Sequence, residues 1–119
     1  MANPLLVRKD GSSDGLYATR PFEPGEIVLT FEQVEWRPHR DRSTVQHASG
    51  AHMFHPVLAK VAHGCEPNCQ LHAFERRLVA LAPIATGDAI TYDYETTESW
   101  FAHPFWCQCG ARRCRGRIG

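Results

Sequence analysis

Five cysteines carry the densest chemistry in this chain: Cys107-Gln108-Cys109-Gly110-Ala111-Arg112-Arg113-Cys114, and upstream Cys65 and Cys69 within His63-Gly64-Cys65-Glu66-Pro67-Asn68-Cys69. Thiolates are the usual ligands of structural zinc. A C-x-C-x4-C run places three sulfurs around one tetrahedral ion, with Gly110 letting the backbone turn sharply between them. The fourth ligand must come from elsewhere. Cys65 is the first choice, with Cys69 and the histidines, His63 and His72 nearest among them, as rivals. A disulfide framework is the competing chemistry, but five is an odd number and the sequence shows no apolar signal segment at its start, which favours metal.

The elements that must hold such a site fit a single small domain. At 119 residues a metal clip matters to stability. Thirteen Lys and Arg balance thirteen Asp and Glu, so the chain as a whole lacks the basic excess of a nucleic-acid binder. Arg112, Arg113, Arg115 and Arg117 do crowd together, as a solvated face around a metal knuckle or as a phosphate-binding patch. No stretch approaches the roughly 20 apolar residues of a membrane span. A soluble, reducing setting is expected, cytoplasmic, or nuclear in a eukaryotic or host cell.

Two segments repeat one another loosely: Pro21-Phe22-Glu23-Pro24-Gly25-Glu26-Ile27-Val28 and Pro83-Ile84-Ala85-Thr86-Gly87-Asp88-Ala89-Ile90. Each predicts a glycine turn followed by a strand. Ile27 to Phe31, Ala89 to Tyr94, Leu78 to Ala82 and Gly15 to Thr19 read as short strands from their branched and aromatic content. No segment sustains an apolar period of helical length, so the fold is expected to be mostly β. Arg37 to Ser49 reads as a surface loop or short helix. The aromatics Phe101, Phe105 and Trp106 precede or adjoin the first C-terminal cysteine as a core plug or a pocket wall.

Several motifs resemble, in order, those of the SET-domain protein lysine methyltransferases with a post-SET zinc motif, of the compact bacterial or viral type. Asp14-Gly15-Leu16-Tyr17-Ala18-Thr19-Arg20 is similar to the family's glycine turn, and His52-Met53-Phe54 to the end of its variable insert. His63 to Cys69 resembles its N-H-S-C-x-P-N-C segment, Thr91-Tyr92-Asp93-Tyr94 its catalytic strand, and Cys107 to Gly116 its zinc motif. The resemblance implies small curved sheets with a C-terminal pseudoknot, a SET domain over 1–100 with a short insert at about 36–55, and a zinc-binding segment over 101–119. It implies S-adenosylmethionine (SAM) as methyl donor, one structural zinc on Cys65, Cys107, Cys109 and Cys114, and a lysine-bearing protein or peptide as substrate.

By the same resemblance Tyr94 orients the methyl and the amine, and Tyr92 biases the product to mono- or dimethyl-lysine. Asp14, Gly15, Leu16, Tyr17, His52, Ala62, His63 and Gln108 are expected around the cofactor, with Phe105 or Trp106 capping the adenine or walling the lysine channel. The chain departs from the family pattern at Ser13 for Gly, Phe31 for a channel Tyr, His52 for Tyr, Ala62 for Asn and Gly64 for Ser. Two other functions suit the same residues. One is a catalytically silent SET-like module that binds a basic peptide. The other is a zinc-knuckle nucleic-acid binder using the C-terminal arginines with Trp100, Phe101, Phe105 and Trp106.

Overall fold

The computed structural model describes residues 5–10, 13–38, 44–46, 52–98 and 104–118. Trp100, Phe101 and much of the expected insert (39–43 and 47–51) lie outside them. Among the described residues the first strands are β1 (Leu5–Asp10), β2 (Ser13–Ala18), β3 (Ile27–Thr30), β4 (Glu35–Arg37), β5 (Val45–Gln46) and β6 (His52–Phe54). There follow β7 (Ala62–His63), β8 (Cys69–His72), β9 (Arg77–Ala80), β10 (Thr91–Tyr92), β11 (Phe105–Trp106) and β12 (Arg117–Ile118). Two 3-10 turns, Leu58–Lys60 and Tyr94–Thr96, complete the regular structure. The mostly β expectation holds, in the form of several small sheets.

β1 and β2 form an antiparallel pair from Leu5 opposite Ala18 to Asp10 opposite Ser13. β1 is an addition to the expected strands. Its Arg8-Lys9-Asp10 half has no apolar alternation, and pairing with β2 supplies the order that composition does not. Two antiparallel three-stranded sheets follow, in the orders β3-β9-β8 and β4-β6-β5.

The two repeated turn segments face each other. Phe22 and Ile84 exchange reciprocal backbone hydrogen bonds, both of 2.9 Å. Gly25 and Gly87 take φ of +90° and +91°, a region where a side chain is strained. Each turn amide then docks on a strand: Gly25 donates to the Ala80 carbonyl and Gly87 to that of Ala18, both at 2.8 Å. Phe22, Phe31, Leu16, Met53, Leu78, Ile84 and Ile90 fill the core between these elements. Each such side chain contributes about 1.5–3 kcal/mol by leaving water. Cys69 belongs to the same core, and burial pushes its thiol up to about 12. It lies in this core and outside the cluster that Cys65 forms with Cys107, Cys109 and Cys114, which removes it as a rival metal ligand.

The expected strand from Ala89 to Tyr94 is cut short. The Asp93 carboxylate accepts the Glu95 amide at 3.0 Å, an N-cap that turns the chain into the 3-10 turn after Tyr92. β10 runs parallel to β7, with Thr91 opposite Ala62 and Tyr92 opposite His63. This ladder brings together the two segments that the resemblance expects to interleave. Two residues make a weak ladder, and Asn68 reinforces it from the side. Its side chain accepts the Thr91 amide at 2.9 Å and donates to the Ala89 carbonyl at 2.8 Å, while its own amide donates to Thr91 Oγ1 at 3.1 Å.

Candidate active site and metal centre

Tyr94 stands where the 3-10 turn leaves β10. Its hydroxyl donates to the Val61 carbonyl at 2.5 Å and its amide to Nδ1 of His63 at 3.1 Å. Its ring lies 5.0 Å from that of Tyr92, 5.2 Å from His63 and 6.0 Å from Phe105. Burial pushes the Tyr94 hydroxyl up to about 12, so the phenol stays protonated at any working pH. Tyr92 lies deeper, and burial raises its hydroxyl well above the usual range.

His63 connects this tyrosine to the cysteines. Because Nδ1 accepts the Tyr94 amide, the ring proton of the neutral imidazole sits on Nε2, which is 3.4 Å from Cys65 Sγ. Desolvation holds His63 below its ordinary pKa, opposed by the nearby Asp93 carboxylate. The ligand atoms of Cys65, Cys107, Cys109 and Cys114 all lie within 4.8 Å of one another, and Cys65 and Cys107 are 3.8 Å apart at sulfur. Zinc–sulfur bonds of about 2.3 Å in a tetrahedron place sulfurs about 3.8 Å apart, which the Cys65–Cys107 pair matches, and the four thiols are close enough to share one ion. Backbone hydrogen bonds, from Cys65 first and then Ala111, draw the Cys109 thiol down to about 6, while burial pushes that of Cys107 up to about 12. The Arg115 amide also points at Cys65 Sγ, at 3.3 Å.

A cavity of about 570 Å³ opens between β2, the Leu58–Lys60 turn, β7, Tyr94 and the cysteine segment. Of the residues expected around a cofactor, Gly15, Leu16, Tyr17, Ala62, His63 and Gln108 line it. Asp14 sits one position before them in β2, its backbone opposite Lys9. His52 is elsewhere: buried in β6 opposite Arg37, it does not line the cavity. Phe105 forms part of the wall, whereas Trp106, the next residue along β11, faces outward and is 72% exposed. Tyr92 lies behind Tyr94 and off the wall.

The wall also includes residues that were not among those expected around the cofactor: Ala59, Lys60, Val61, Ala89 and, from the catalytic-strand motif, Thr91. Lys60 brings a cation to it from the end of the 3-10 turn, and its only sequence signal is its place just before the His63 segment. Gly15 shapes the wall by what it lacks. A Cβ there would come within 2.8 Å of the Tyr17 ring, which folds back over the glycine. Gly64 is similar, since a Cβ would meet Thr91 Cβ at 3.1 Å. The room that a serine would need at 64 is held by Thr91, which gives that departure a local compensation.

The SET domain family model matches residues 13–95. The chain belongs to the SET domain family. The matched stretch ends before Cys107, Cys109 and Cys114, so their place in the site rests on their geometry with Cys65. The chain is 28% identical over 124 residues to histone-lysine N-methyltransferase 2B of Homo sapiens, covering 85% of this chain and 5% of that protein. It is 36% identical over 58 residues to methyltransferase flvH of Aspergillus flavus, covering 47% of this chain and 33% of that one. The chain thus spans a third or less of the length of these relatives. Its fold matches that of KRYPTONITE, solved in complex with mCHH DNA, H3(1–15) peptide and SAH, with a TM-score of 0.70 at 21% identity over 98% of this chain and 30% of that one. Among the described residues of the SET chain, no helix is long and apolar enough to cross a membrane.

Proposed function

We propose that the chain is a SAM-dependent protein-lysine N-methyltransferase with one structural zinc. The observation that carries this reading is the convergence, within a SET fold, of the Gly15–Tyr17 wall, Lys60–His63, Tyr94 and Gln108 on one cavity. The names of the relatives and the SAH and H3 peptide held by KRYPTONITE support it.

SAM supplies a sulfonium methyl for in-line displacement by an amine, and the chain's work is alignment and solvent exclusion. Lys60 matches the donor's carboxylate in charge, the Gly15–Tyr17 backbone bounds the cavity, and Phe105 gives an apolar face for an adenine. The Tyr94 proton is committed to Val61, so the phenol oxygen keeps its lone pairs for the incoming amine and for the polarised methyl hydrogens. A lysine ammonium titrates near about 10.4 in water, and an apolar, aromatic channel favours its neutral, nucleophilic form. A carboxylate beside the amine would hold the proton on. Asp93 and Glu95 flank Tyr94 in sequence but do not line the cavity, being bound to Arg115. Tyr92, packed against Tyr94, restricts space and biases the product to mono- or dimethyl-lysine; Tyr92→Phe should shift it to higher states. Ala62 offers no side-chain hydrogen bond, which leaves more of the cofactor affinity to Lys60 and His63.

The test is calorimetric titration of the zinc-loaded protein with SAM, followed by labelled methyl transfer to basic peptides by wild type and Tyr94→Phe. SAM binding should be micromolar in both, with turnover of the variant at least about a hundredfold lower. Undiminished turnover by Tyr94→Phe would sink the assignment. Folded protein that ignores SAM would leave a peptide-binding module. The nucleic-acid reading has less support, because Arg115 is already paired with two carboxylates.

A further inference from the structure

Arg115 follows the last cysteine of the metal cluster and reaches back to the tyrosine-bearing turn. Its guanidinium forks between two carboxylates, with NH2 to Asp93 Oδ2 at 2.8 Å and NH1 to Glu95 Oε1 at 2.6 Å. Its amide meanwhile donates to Cys65 Sγ at 3.3 Å. Asp93 lies between Tyr92 and Tyr94, and only 18% of its side chain is exposed. The other Asp93 oxygen caps the Glu95 amide at 3.0 Å, and its backbone carbonyl accepts the Thr96 amide at 3.1 Å. The Tyr94 carbonyl takes the Thr97 and Glu98 amides, both at 3.2 Å. One side chain therefore touches both anions of the turn that sets the Tyr94 ring, and its own backbone touches a metal ligand. Arg112 and Arg113, in the same segment, are exposed, and the two carboxylates of the turn pair with Arg115 instead.

We propose that Arg115 is a latch, a positioning residue that locks the cysteine segment onto the Tyr94 turn and so closes the wall formed by Phe105, Cys107 and Gln108 over the cofactor. The inference rests on the methyltransferase reading for its consequence in turnover, and on the ion-pair geometry alone for its consequence in structure. Charge-assisted bonds to a planar fork fix direction as well as distance, which a lysine's single ammonium does only in part. The latch holds two segments that share no strand pairing, since β11 and β12 pair with each other and β10 pairs with β7.

Three variants test it: Arg115→Ala, Arg115→Lys and, as control, Arg113→Ala. Four readouts apply to each, namely bound zinc, amide hydrogen exchange at Glu95 to Glu98, calorimetric affinity for S-adenosylhomocysteine, and KM and kcat. Arg115→Ala should keep one zinc per chain, yet exchange its Glu95 to Glu98 amides and release S-adenosylhomocysteine about tenfold more readily. KM for SAM should rise with it, Arg115→Lys should recover part of each effect, and Arg113→Ala should match wild type. A double-mutant cycle with Glu95→Gln should show coupling, because one substitution removes the cation and the other the anion of the same ion pair. Unchanged exchange and affinity in Arg115→Ala would overturn the latch, as would loss of zinc, which would make Arg115 a support of the metal cluster alone. If wild type itself ignores S-adenosylhomocysteine, the methyltransferase reading fails, and the exchange data still decide whether the latch exists.

Discussion

Two halves of this small domain are held together by different forces. Around β3, β8 and β9, ladders of three and four residue pairs pack apolar side chains such as Leu78 and Phe31 into a closed core, with the Gly25 turn docked on β9. Around Tyr94 the ladders are two residues long, and order comes from point attachments: Asn68, the Asp93 cap, the Arg115 fork and the cysteine cluster. A core loses stability gradually as contacts are trimmed, whereas a site built on point attachments fails when one is removed. The geometry around Tyr94 should therefore be separable from the fold.

Metal removal is the sharpest way to test that separation. A chelator should abolish SAM binding, a loss of at least about a hundredfold, while the far-ultraviolet strand signal and a cooperative melt persist. Loss of the melt along with binding would mean the two halves are one cooperative unit. The converse break is Leu78→Ala, which should cost about 2–5 kcal/mol by leaving a cavity in the fully buried core, and in a denaturant titration should weaken both halves together.

A smaller effect sharpens the picture of the cavity itself. Lys60→Ala should weaken SAM about tenfold while leaving methylthioadenosine, which lacks the amino-acid carboxylate, unaffected. Equal losses for both ligands would show that Lys60 shapes the wall instead of pairing with charge.

The smallest expected effect lies at the join between the halves. His55 Nδ1 accepts the Val57 and Leu58 amides at 3.2 and 3.4 Å, capping the turn that carries Lys60. Desolvation lowers its pKa, so the unfolded chain takes the proton more readily. The cap's stability is thus complete above the ordinary value of 6.5 and is lost as the pH falls from there through the folded value. His55→Ala should cost about 1 kcal/mol at neutral pH, while His55→Asn should keep the cap and flatten the acid limb in thermal melts. An acid limb unchanged in His55→Asn would assign it to another group.

Much of the core half could be read directly from the chain. Glycine turns and branched residues announce β2, β3 and β9 locally, so their strands lie close to where composition puts them. The site half was legible as chemistry but less as geometry. The cysteine spacing points to three thiols of one cluster with Cys65 as the first choice for the fourth, and the structure brings those four together. What could not be read is whatever depends on a partner distant in sequence. β1 is ordered by β2, Lys60 meets the cavity through a turn, and His52 lies off the wall because its β6 ladder buries it opposite Arg37. Tyr94 reads as a strand residue by composition, yet the carboxylate beside it starts a turn and re-aims its ring.

Gly64 and Thr91 share one small volume, and that sharing makes the two positions epistatic. A serine at 64 alone would require Thr91, whose Oγ1 accepts the Asn68 amide, to give by a few tenths of an ångström, so its effect is set by how far Thr91 yields. Shrinking residue 91 first would empty the volume and remove that demand. A combinatorial library at 64 alone should return mostly the parental glycine, whereas one varying both sites should return compensated pairs. The order in which substitutions arrive, and not their number, then decides which sequences near this one remain reachable.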